Sequence, residues 1–428
     1  MKTLKNSIIP VYVKTGENYS NIIKYVLKLI EKNQSITFEF QTQKSGVKLI
    51  WDHLESESQF IQLVFYNSIK NKEFKFNLND TISIVDENGS IDLIASIFYK
   101  VNCLQEFGNQ GDLDEYERFQ FLSSYQYKNG LIKKNLVQDE INLFLKQHSI
   151  QGKNRLSKFF ISHDIDTIYG SFLQDGLWAV KNKKVGVVLK LILNEISRKP
   201  HWRNINKILK ISSEYEVYTT FFWLVNQGVG LANIKNSDYK IEKQKDLIDL
   251  VENSGSFNGI HKSCSTDSFE TELKKSNLKT TFNRYHFLKF LPEIDWEILS
   301  ESPIQLDCSL GFAEHYGFRN SYGKAFQPYD VFNDQPYNFI EAPLHFMDTT
   351  FHQYLKTPKS KIGDIVIDFY EKNNQNCDFS LLWHNTYFTD YKYNSYLSEY
   401  KKILGYIYEN KIEVLSPNQI IEENKLQW

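Results

Sequence analysis

The second half of the chain alternates between short apolar runs and longer segments with helical spacing. Apolar runs of about four to eight residues are typical of buried strands. The strand-like runs are residues 158–162, 217–224, 257–260, 281–288, 304–306, 338–342, 380–383 and 411–415. Helix-like runs include 243–253 and 267–276, where Asp267 and Glu270 have the spacing of N-cap and N3 residues. This alternation predicts an α/β fold, a distorted (β/α) barrel of about seven parallel strands.

Residues 1–150 have the pattern of a smaller α/β domain in front of a barrel over 156–428. Runs 8–13, 36–40 and 60–66 look like strands, and residues 81–85 lead into a turn signal at 86–89. Helices are predicted over 21–31 and from Asp92 to Val101. Residues 108–117 are polar and predict a loop. This first part concentrates no histidines or acids at catalytic spacings, so its role is left open.

Composition and charge exclude several classes of protein. The 428 residues are 41% hydrophobic and 24% charged, as in a soluble globular protein of about two domains. The net charge of −2 gives no electrostatic reason to expect nucleic acid or an anionic membrane as a partner. Four widely spaced cysteines without a CxxC motif argue against a disulfide framework or a cysteine zinc site. The high aromatic content of 15% fits either a compositional bias or sugar-stacking surfaces.

No targeting or membrane-spanning segment is expected. Residues 1–6 lack the apolar core of a secretory signal, so the default location is the cytoplasm. The most apolar run, 185–193, is interrupted by Lys190 and is too short to cross a bilayer. We expect it to form an ordinary packed helix.

The candidate chemistry begins at Asp164 and Asp166, where the first strand of the second half ends. Alternate strand residues point to the same face, so the two carboxylates are expected on one side. Neighbouring carboxylates repel unless a cation or a shared proton lies between them, which suggests one metal ligand and one base. The plain structural alternative is that both acids cap the next helix.

Polar residues also follow the later strands. They are His261, Arg284, His286, Asp307, Arg319, Glu341, Asp348 and His384. Converging at one end of a barrel, such a set fits a metal-assisted hydrolase with carboxylate and imidazole ligands, a base and an acid. Structural alternatives stay open: His261 could bond a backbone carbonyl, Arg284 and His286 could lie at the surface, and Arg319 could pair with Asp307 or Glu314. His384 could be a buried, satisfied imidazole.

Several motifs occur in a fixed order along the chain. They are Ser162-His163-Asp164-Ile165-Asp166, Thr220-Phe221-Phe222, Gly259-Ile260-His261-Lys262-Ser263, Gly317-Phe318-Arg319 with Pro328-Tyr329-Asp330, and Leu382-Trp383-His384-Asn385. With these motifs, residues 156–420 resemble the polysaccharide deacetylases of carbohydrate esterase family four. The whole chain resembles a two-domain bacterial subgroup with an uncharacterised α/β domain in front, through residues 92–98, 105–107 and 117–119.

The resemblance implies roles for individual residues. Asp164 would be the catalytic base, Asp166 and His261 ligands of a divalent metal, and His384 the general acid. Arg319, or else Arg284, would orient the base. The metal would be Zn²⁺, with Co²⁺ or Ni²⁺ as alternatives, and the substrate an N- or O-acetylated sugar of a bacterial polysaccharide or its precursor.

One position departs from the family pattern. Ser265 stands where a second metal-binding histidine is common, so the site would recruit His286 or His163, or would be lost. Three interpretations remain: an active enzyme with a changed ligand set, a catalytically impaired barrel that binds glycans or assists surface-polysaccharide assembly, and another hydrolytic chemistry. Cys264, with no base partner in sight, is expected to be a packing residue. The sequence sets neither the substrate glycan nor the oligomeric state.

Overall fold

A computed structural model describes residues 8–15, 19–52, 58–74, 76–108 and 110–427. Residues 1–6, on which the expectation about a secretory signal depends, lie outside the described part. Within the described ranges, no helix is both long enough and apolar enough to cross a membrane.

The N-terminal region is built on a three-stranded parallel sheet with the order β2-β1-β3. Its strands are β1 (Ile8–Val13), β2 (Thr37–Phe40) and β3 (Leu49–Trp51). Its helices are α1 (Tyr19–Gln34), α2 (Leu63–Asn71), α3 (Leu93–Val101), α4 (Tyr125–Lys128) and α5 (Leu136–Gln147). Helix α3 begins at Asp92, whose carboxylate accepts a hydrogen bond from the Ala95 backbone. This is the N-cap contact that its position predicted.

One strand prediction in this region is wrong. Residues 60–66 run into helix α2, in which Phe65, Tyr66 and Ile69 are buried with the spacing of a helix face. The side chain of Gln62 caps this helix by accepting a hydrogen bond from the Phe65 backbone. Residues 81–85 form isolated bridges instead of a strand, since Ile82 has a φ of 63° that a regular strand does not allow.

The second region contains an eight-stranded sheet in which every pair of neighbours is parallel. The strand order is β11-β8-β7-β6-β5-β4-β13-β12. These strands are β4 (Lys158–Ile165), β5 (Thr220–Leu224), β6 (Phe257–Lys262), β7 (Phe282–Tyr285), β8 (Leu306–Asp307), β11 (Ile340–Glu341), β12 (Leu344–Met347) and β13 (Asp378–Leu382). A separate antiparallel pair is formed by β9 (Tyr329–Asp330) and β10 (Gln335–Pro336).

Helices lie between these strands along the chain, and the last two of them follow β13. They are α6 (Ser171–Lys181), α7 (Val185–Ile196), α8 (Ile205–Glu214), α9 (Lys245–Asn253), α10 (Phe269–Ser276), α11 (Pro292–Ser300), α12 (Ile362–Lys372), α13 (Asn394–Glu409) and α14 (Pro417–Asn424). The N-cap of α10 is Ser268, which accepts a hydrogen bond from the Thr271 backbone, so the N-cap expected at Asp267 is off by one residue.

The chain connectivity shows that the sheet is curled. Strands β11 and β12 stand at opposite edges, yet only Ala342 and Pro343 separate them in the chain. Three backbone steps span at most about 11 Å, whereas the edges of a flat eight-stranded sheet lie about 34 Å apart. The edges therefore approach each other, and the predicted α/β barrel behind a smaller α/β region is confirmed.

The two faces of the sheet pack against different partners. Along β4, Phe159 and Ile161 belong to the large core shared with the surrounding helices, while Phe160 belongs to a second cluster. That second cluster, with Phe222, Phe282 and Leu306 among its members, fills the barrel interior. Ile420 of α14 also belongs to this cluster. Residues 411–415 form only an isolated bridge through Val414, so the eighth predicted strand is wrong.

The connection after β8 is buried against the N-terminal region. Every residue from 316 to 330 is buried. Its backbone forms hydrogen bonds with the N-terminal region at Phe318, Arg319, Ser321, Gln327 and Tyr329, through Ile132, Gln126, Val137, Tyr25 and Asn102 respectively. The side chains of Asn320 and Lys324 donate to the Val101 and Lys32 carbonyls. The N-terminal region thus supports a long irregular segment that the barrel alone would leave with unpaired backbone groups.

Candidate active site

Asp164 and Asp166 lie at the C-terminal end of β4 and face the same imidazole. The Nε2 atom of His261 is 3.5 Å from Asp164 Oδ2 and 3.3 Å from Asp166 Oδ1. Helix α6 begins after Gly170 without a side-chain cap, so neither acid serves as its N-cap. The regular alternation of β4 explains why both side chains reach one side.

His261 lies near the C-terminal end of β6, two strands along the sheet from β4, and one of its ring nitrogens has a fixed partner. It lies in register beside Arg284, and its Nδ1–H donates to the Arg284 carbonyl at 2.8 Å. The backbone contact that was considered as a structural alternative therefore exists, but it involves only one ring nitrogen. The other nitrogen, Nε2, is left facing the two carboxylates, which is the usual arrangement of a metal-binding histidine.

His286 provides a second imidazole from the segment directly after β7. Its side chain is buried, and its Nε2–H donates to the Lys235 carbonyl at 3.1 Å. Burial lowers the pKa of His286 to about 4, so the ring is neutral near pH 7. Its unprotonated Nδ1 points at His261 Nε2, 3.1 Å away, and lies 3.7 Å from Asp166 Oδ1.

These three atoms form a triangle with sides of 3.1, 3.3 and 3.7 Å. Zinc bonds of 2.0–2.2 Å at tetrahedral angles place ligand atoms about 3.3–3.6 Å apart. The facing nitrogens of His261 and His286 would repel if both presented lone pairs, so a proton or a metal ion must lie between them. The donor set of Asp166, His261 and His286 therefore fits a divalent metal.

The state of Asp166 supports the same fit. Burial would raise the pKa of its carboxyl group, but the imidazoles of His286, His261 and His384 lower it well below the ordinary value. The carboxylate is therefore ionised at every physiological pH. Its Oδ1 atom is buried without a hydrogen-bond partner of acceptable geometry. An ionised buried oxygen without a donor is costly unless a cation satisfies it.

Asp164 is positioned by Arg284. The Nη1 atom of Arg284 donates to Asp164 Oδ1 at 2.7 Å, and its Nε donates to the Cys308 carbonyl at 2.9 Å. Both side chains are almost fully buried. The guanidinium stacks 4.5 Å above the ring of Phe222. A Cβ atom at Gly259 would lie 2.5 Å from this ring, so the glycine leaves the space that the ring needs.

His384 closes the site from the other side, after β13. Its Nδ1–H donates to Asp348 Oδ1 at 2.7 Å, and its Nε2 lies 3.7 Å from Asp166 Oδ2. Burial works against protonation of this ring, but Asp348, followed by Asp166 and Asp164, raises the pKa of His384 to about 10. The imidazole is therefore a proton donor near neutral pH. Only Nδ1 has a hydrogen-bond partner at short distance, and Nε2 faces the cavity.

Arg319 lies elsewhere, which corrects one expectation. Its guanidinium forms a bidentate ion pair with Glu106, with distances of 3.0 and 2.7 Å, and both side chains are buried. It pairs with neither Asp307 nor Glu314, and it does not contact Asp164. The motif that resembled a base-orienting arginine belongs instead to the segment 316–330 that the N-terminal region covers. Arg284 is the guanidinium that bonds Asp164.

Ser265, where a second metal-binding histidine is common in the resembled family, and His163, one of its candidate replacements, also lie outside this triangle. Ser265 bonds to Asn226 and Glu272 in a separate polar network. The Nδ1–H of His163 donates to the Trp383 carbonyl, and the ring is surrounded by aromatic side chains. Cys264 is buried, and burial raises the pKa of its thiol to about 12, which suits a packing residue. The imidazole that lies beside His261 is that of His286, from the end of the neighbouring strand.

The site opens into a cavity of about 260 Å³. Its lining includes a cluster of apolar side chains, Leu288, Ala313, Met347 and Leu382, and the aromatic side chains of Trp202, Tyr387 and Tyr393. A larger cavity of about 750 Å³ shares His286 with it.

Sequence reasoning missed two contributors to this site. Asp348 had been noted without a role, because the strand β12 before it was not recognised. Arg118, from the N-terminal region, lines the same cavity and donates to the Phe287 carbonyl. Only the packing of the two regions reveals this second contribution.

Comparisons with known proteins add the following. A family model described as a family of unknown function (DUF7033) matches residues 11–151. Among curated proteins no sequence matches the chain. Three solved structures align with about three fifths of the chain. One, from Mycobacterium smegmatis and described as a polysaccharide deacetylase, is 12% identical, covers 62% of this chain and 89% of that chain, and has a TM-score of 0.39.

The other two have similar values. A mutant of BA3943, described as a CE4 family pseudoenzyme with restored enzymatic activity, is 10% identical over 63% of this chain and 69% of that chain, with a TM-score of 0.29. The Bc1960 peptidoglycan N-acetylglucosamine deacetylase is 11% identical over 63% of this chain and 90% of that chain, with a TM-score of 0.32. At such low identities and TM-scores, these likenesses carry no activity over to this chain.

Proposed function

We propose that the protein is a metal-dependent hydrolase that removes acetyl groups from N-acetylated, or O-acetylated, sugars of a bacterial polysaccharide or its precursor. One observation carries the proposal. A carboxylate and a protonated imidazole, Asp164 and His384, flank a triangle of three metal-ligand atoms, at 3.5 Å from His261 and 3.7 Å from Asp166. A base, an acid and a cation site in one small cavity are the parts that acyl hydrolysis requires.

Asp166, His261 and His286 would hold the cation. One carboxylate and two imidazoles suit Zn²⁺ best, with Co²⁺ or Ni²⁺ as alternatives. When bound, the cation supplies the positive charge that polarises an acyl carbonyl and acidifies water. The carbonyls of Arg284 and Lys235 fix the two rings so that Nε2 of His261 and Nδ1 of His286 stay directed at the site.

Asp164 would act as the base. Arg284 occupies its Oδ1 atom and keeps the carboxylate in one orientation, while Oδ2 faces the cavity beside His261. Oδ2 is therefore the atom that takes a proton from the attacking water as the new carbon–oxygen bond forms.

His384 would act as the acid. Its Nδ1–H stays bonded to Asp348, so the proton on Nε2 is the one directed into the cavity. This proton passes to the departing nitrogen, or oxygen, as its bond to the acyl carbon breaks. The products are acetate and a free amino sugar or hydroxyl. The apolar wall with Leu288, Met347 and Leu382 has the chemistry to hold the acetyl methyl group.

The activity test measures acetate release from N-acetylated oligosaccharides with added Zn²⁺. We expect release by the wild type and a loss of at least about 10²-fold for Asp164→Asn, the scale at which a catalytic base contributes. Asp368→Asn, an exposed aspartate in a surface pair with Lys372, is the matched control and should keep full activity. Equal release by Asp164→Asn and the wild type would show that Asp164 is not the base.

The metal test is separate from activity. Elemental analysis after mild purification should give nearly one Zn²⁺, Co²⁺ or Ni²⁺ per chain for the wild type and much less for His286→Ala. His148→Ala, at the end of helix α5 and outside the site, is the control. A wild type that binds oligosaccharides without metal or acetate release would instead support the glycan-binding alternative.

A further inference from the structure

Helices α6 and α7 form a hairpin whose outer surface is apolar. Nine of its large side chains are between 37% and 74% exposed: Phe172, Leu173, Leu177, Val180, Val185, Leu189, Ile192, Leu193 and Ile196. Their spacing of three or four residues places them in one stripe on each helix. Tyr169, just before α6, is also exposed. Contiguous apolar surface of this kind marks an interaction site in a folded protein.

The hairpin reverses the usual orientation of an amphipathic helix. The two helices pack against each other, and α7 buries only Leu191 completely. Residues 185–193, which were expected to form an ordinary packed helix, instead direct most of their apolar side chains to solvent. In α6 the buried face carries Ala179 and the polar Asp175, whose carboxylate accepts hydrogen bonds from Trp202, Tyr391 and Lys392. The polar contacts thus face inward and the apolar side chains outward.

The charges around these stripes are positive. Lys181, Lys183 and Lys184 are exposed at the turn between the helices, and Arg198 and Lys199 are exposed just after α7. Within 171–199 the only acids are Asp175, which is buried and bonded, and Glu195. Lys190 is neutralised by Asp390. A chain with a net charge of −2 therefore carries a local basic rim around its largest apolar stripes.

We propose that the α6–α7 hairpin docks onto an anionic membrane surface. The apolar stripes would enter the boundary between headgroups and acyl chains, and the lysines would lie among the lipid phosphates. Helices of 11 and 12 residues are about 17 Å long and cannot cross a hydrocarbon core of about 30 Å. The hairpin lies on the membrane and does not span it. The basic rim favours an anionic lipid surface over an uncharged protein partner or a second copy of this chain.

The hairpin stands beside the candidate active site. Gln174 of α6 and Trp202, shortly after α7, line the cavity that contains Asp166 and His384. Docking would bring the mouth of this cavity to the lipid surface. If the proposed deacetylase function holds, on which this step rests, the substrate is a sugar carried on a membrane lipid.

Vesicle flotation tests the docking surface with the full chain. The wild type should float with vesicles of 70% phosphatidylcholine and 30% phosphatidylglycerol, and much less with pure phosphatidylcholine or at high salt. Leu177→Ser/Leu189→Ser should reduce binding at least about tenfold, since membrane binding scales with buried apolar area. Leu122→Ser/Leu156→Ser removes two equally exposed leucines elsewhere and should bind as the wild type does. Circular dichroism should show that all variants are folded.

Three results would overturn the proposal. They are a wild type that does not float, a hairpin variant that floats as well as the wild type, and a hairpin variant that only changes the mass found by light scattering, which would identify a contact between copies of the chain. Flotation needs neither metal nor substrate, so Asp164→Asn should float normally even if acetate release fails.

If the wild type floats, the hairpin variant should also release less acetate from a vesicle-bound N-acetylated glycolipid than the wild type does. The same variant should keep its activity on a water-soluble oligosaccharide, and equal loss on both would reject the lipid-carried substrate.

Discussion

At the scale of single residues, the contact between His384 and Asp348 decides how the site titrates. Asp348 is fully buried and bonds both the backbone N–H and the Nδ1–H of His384. It is the main reason why the pKa of His384 rises to about 10 in spite of burial. An acid catalyst is active while it is protonated, so activity is expected to persist until the pH rises through this pKa.

Replacing Asp348 by Asn should lower the pKa of His384 and move the alkaline limb of the kcat/KM profile to lower pH by about one unit or more. A metal ion at Asp166 would lower the starting value in both proteins and would leave the direction unchanged. The measurement is kcat/KM against pH on an N-acetylated oligosaccharide. An acetyl ester with a good leaving group needs no acid and should show no such shift. Identical alkaline limbs in the wild type and Asp348→Asn would contradict the role of His384.

At the scale of elements, the segment 316–330 links the barrel to the N-terminal region. The buried pair Arg319–Glu106 joins this segment to residues just after α3, and backbone hydrogen bonds continue the contact. Removing one partner of a buried ion pair leaves an uncompensated charge, which costs much more than the pair itself contributes.

Glu106→Ala should therefore lower the free energy of unfolding by about 3–5 kcal/mol. Urea denaturation with a constant m-value measures the change. The control is Glu117→Ala, which removes the exposed partner of Lys289 and should cost about 1 kcal/mol or less. A loss below about 1 kcal/mol for Glu106→Ala would mean that Arg319 finds another partner or water, and that the interface does not depend on this pair.

At the scale of the whole molecule, buried neutral histidines are expected to lower the free energy of unfolding as the pH falls. Burial lowers the pKa of His163 to about 4 and that of His345 to about 3. In the unfolded chain both rings would titrate near their ordinary pKa of about 6.5. The unfolded state therefore binds protons that the folded state does not bind. The contribution of these neutral rings to the free energy of unfolding is fully present above about pH 6.5 and is lost as the pH falls.

Each of these rings should cost about 1.4 kcal/mol of stability per pH unit below about 6.5. His345→Asn preserves an acceptor for the Ser380 backbone N–H, which His345 binds through Nδ1, and it removes one titrating group. Urea unfolding at several pH values from 7.5 to 5 should give a shallower acid slope for this variant than for the wild type. Parallel slopes would show that His345 does not contribute to the acid sensitivity.

Part of the fold and of the candidate site could be predicted from local patterns. The predicted strands around β4, β6, β7 and β13 are present, because short apolar runs followed by polar residues identify strand ends in a parallel sheet. Asp164, Asp166, His261, His286, Arg284 and His384 come together for that reason, while their catalytic and metal-binding roles stay predictions. Residues 60–66 were misassigned, because a short apolar run fits a helix as well as a strand.

The sequence by itself determined the alternation of strands and helices and the residue types at each strand end, because hydrophobic periodicity and polar ends are local properties. Only the tertiary structure decided which arginine bonds Asp164, which imidazole lies beside His261, and which aspartate bonds His384. It also decided that α6 and α7 turn their apolar stripes outward. These choices depend on strand order, sheet curvature and the packing of the N-terminal region, which join residues far apart in the chain.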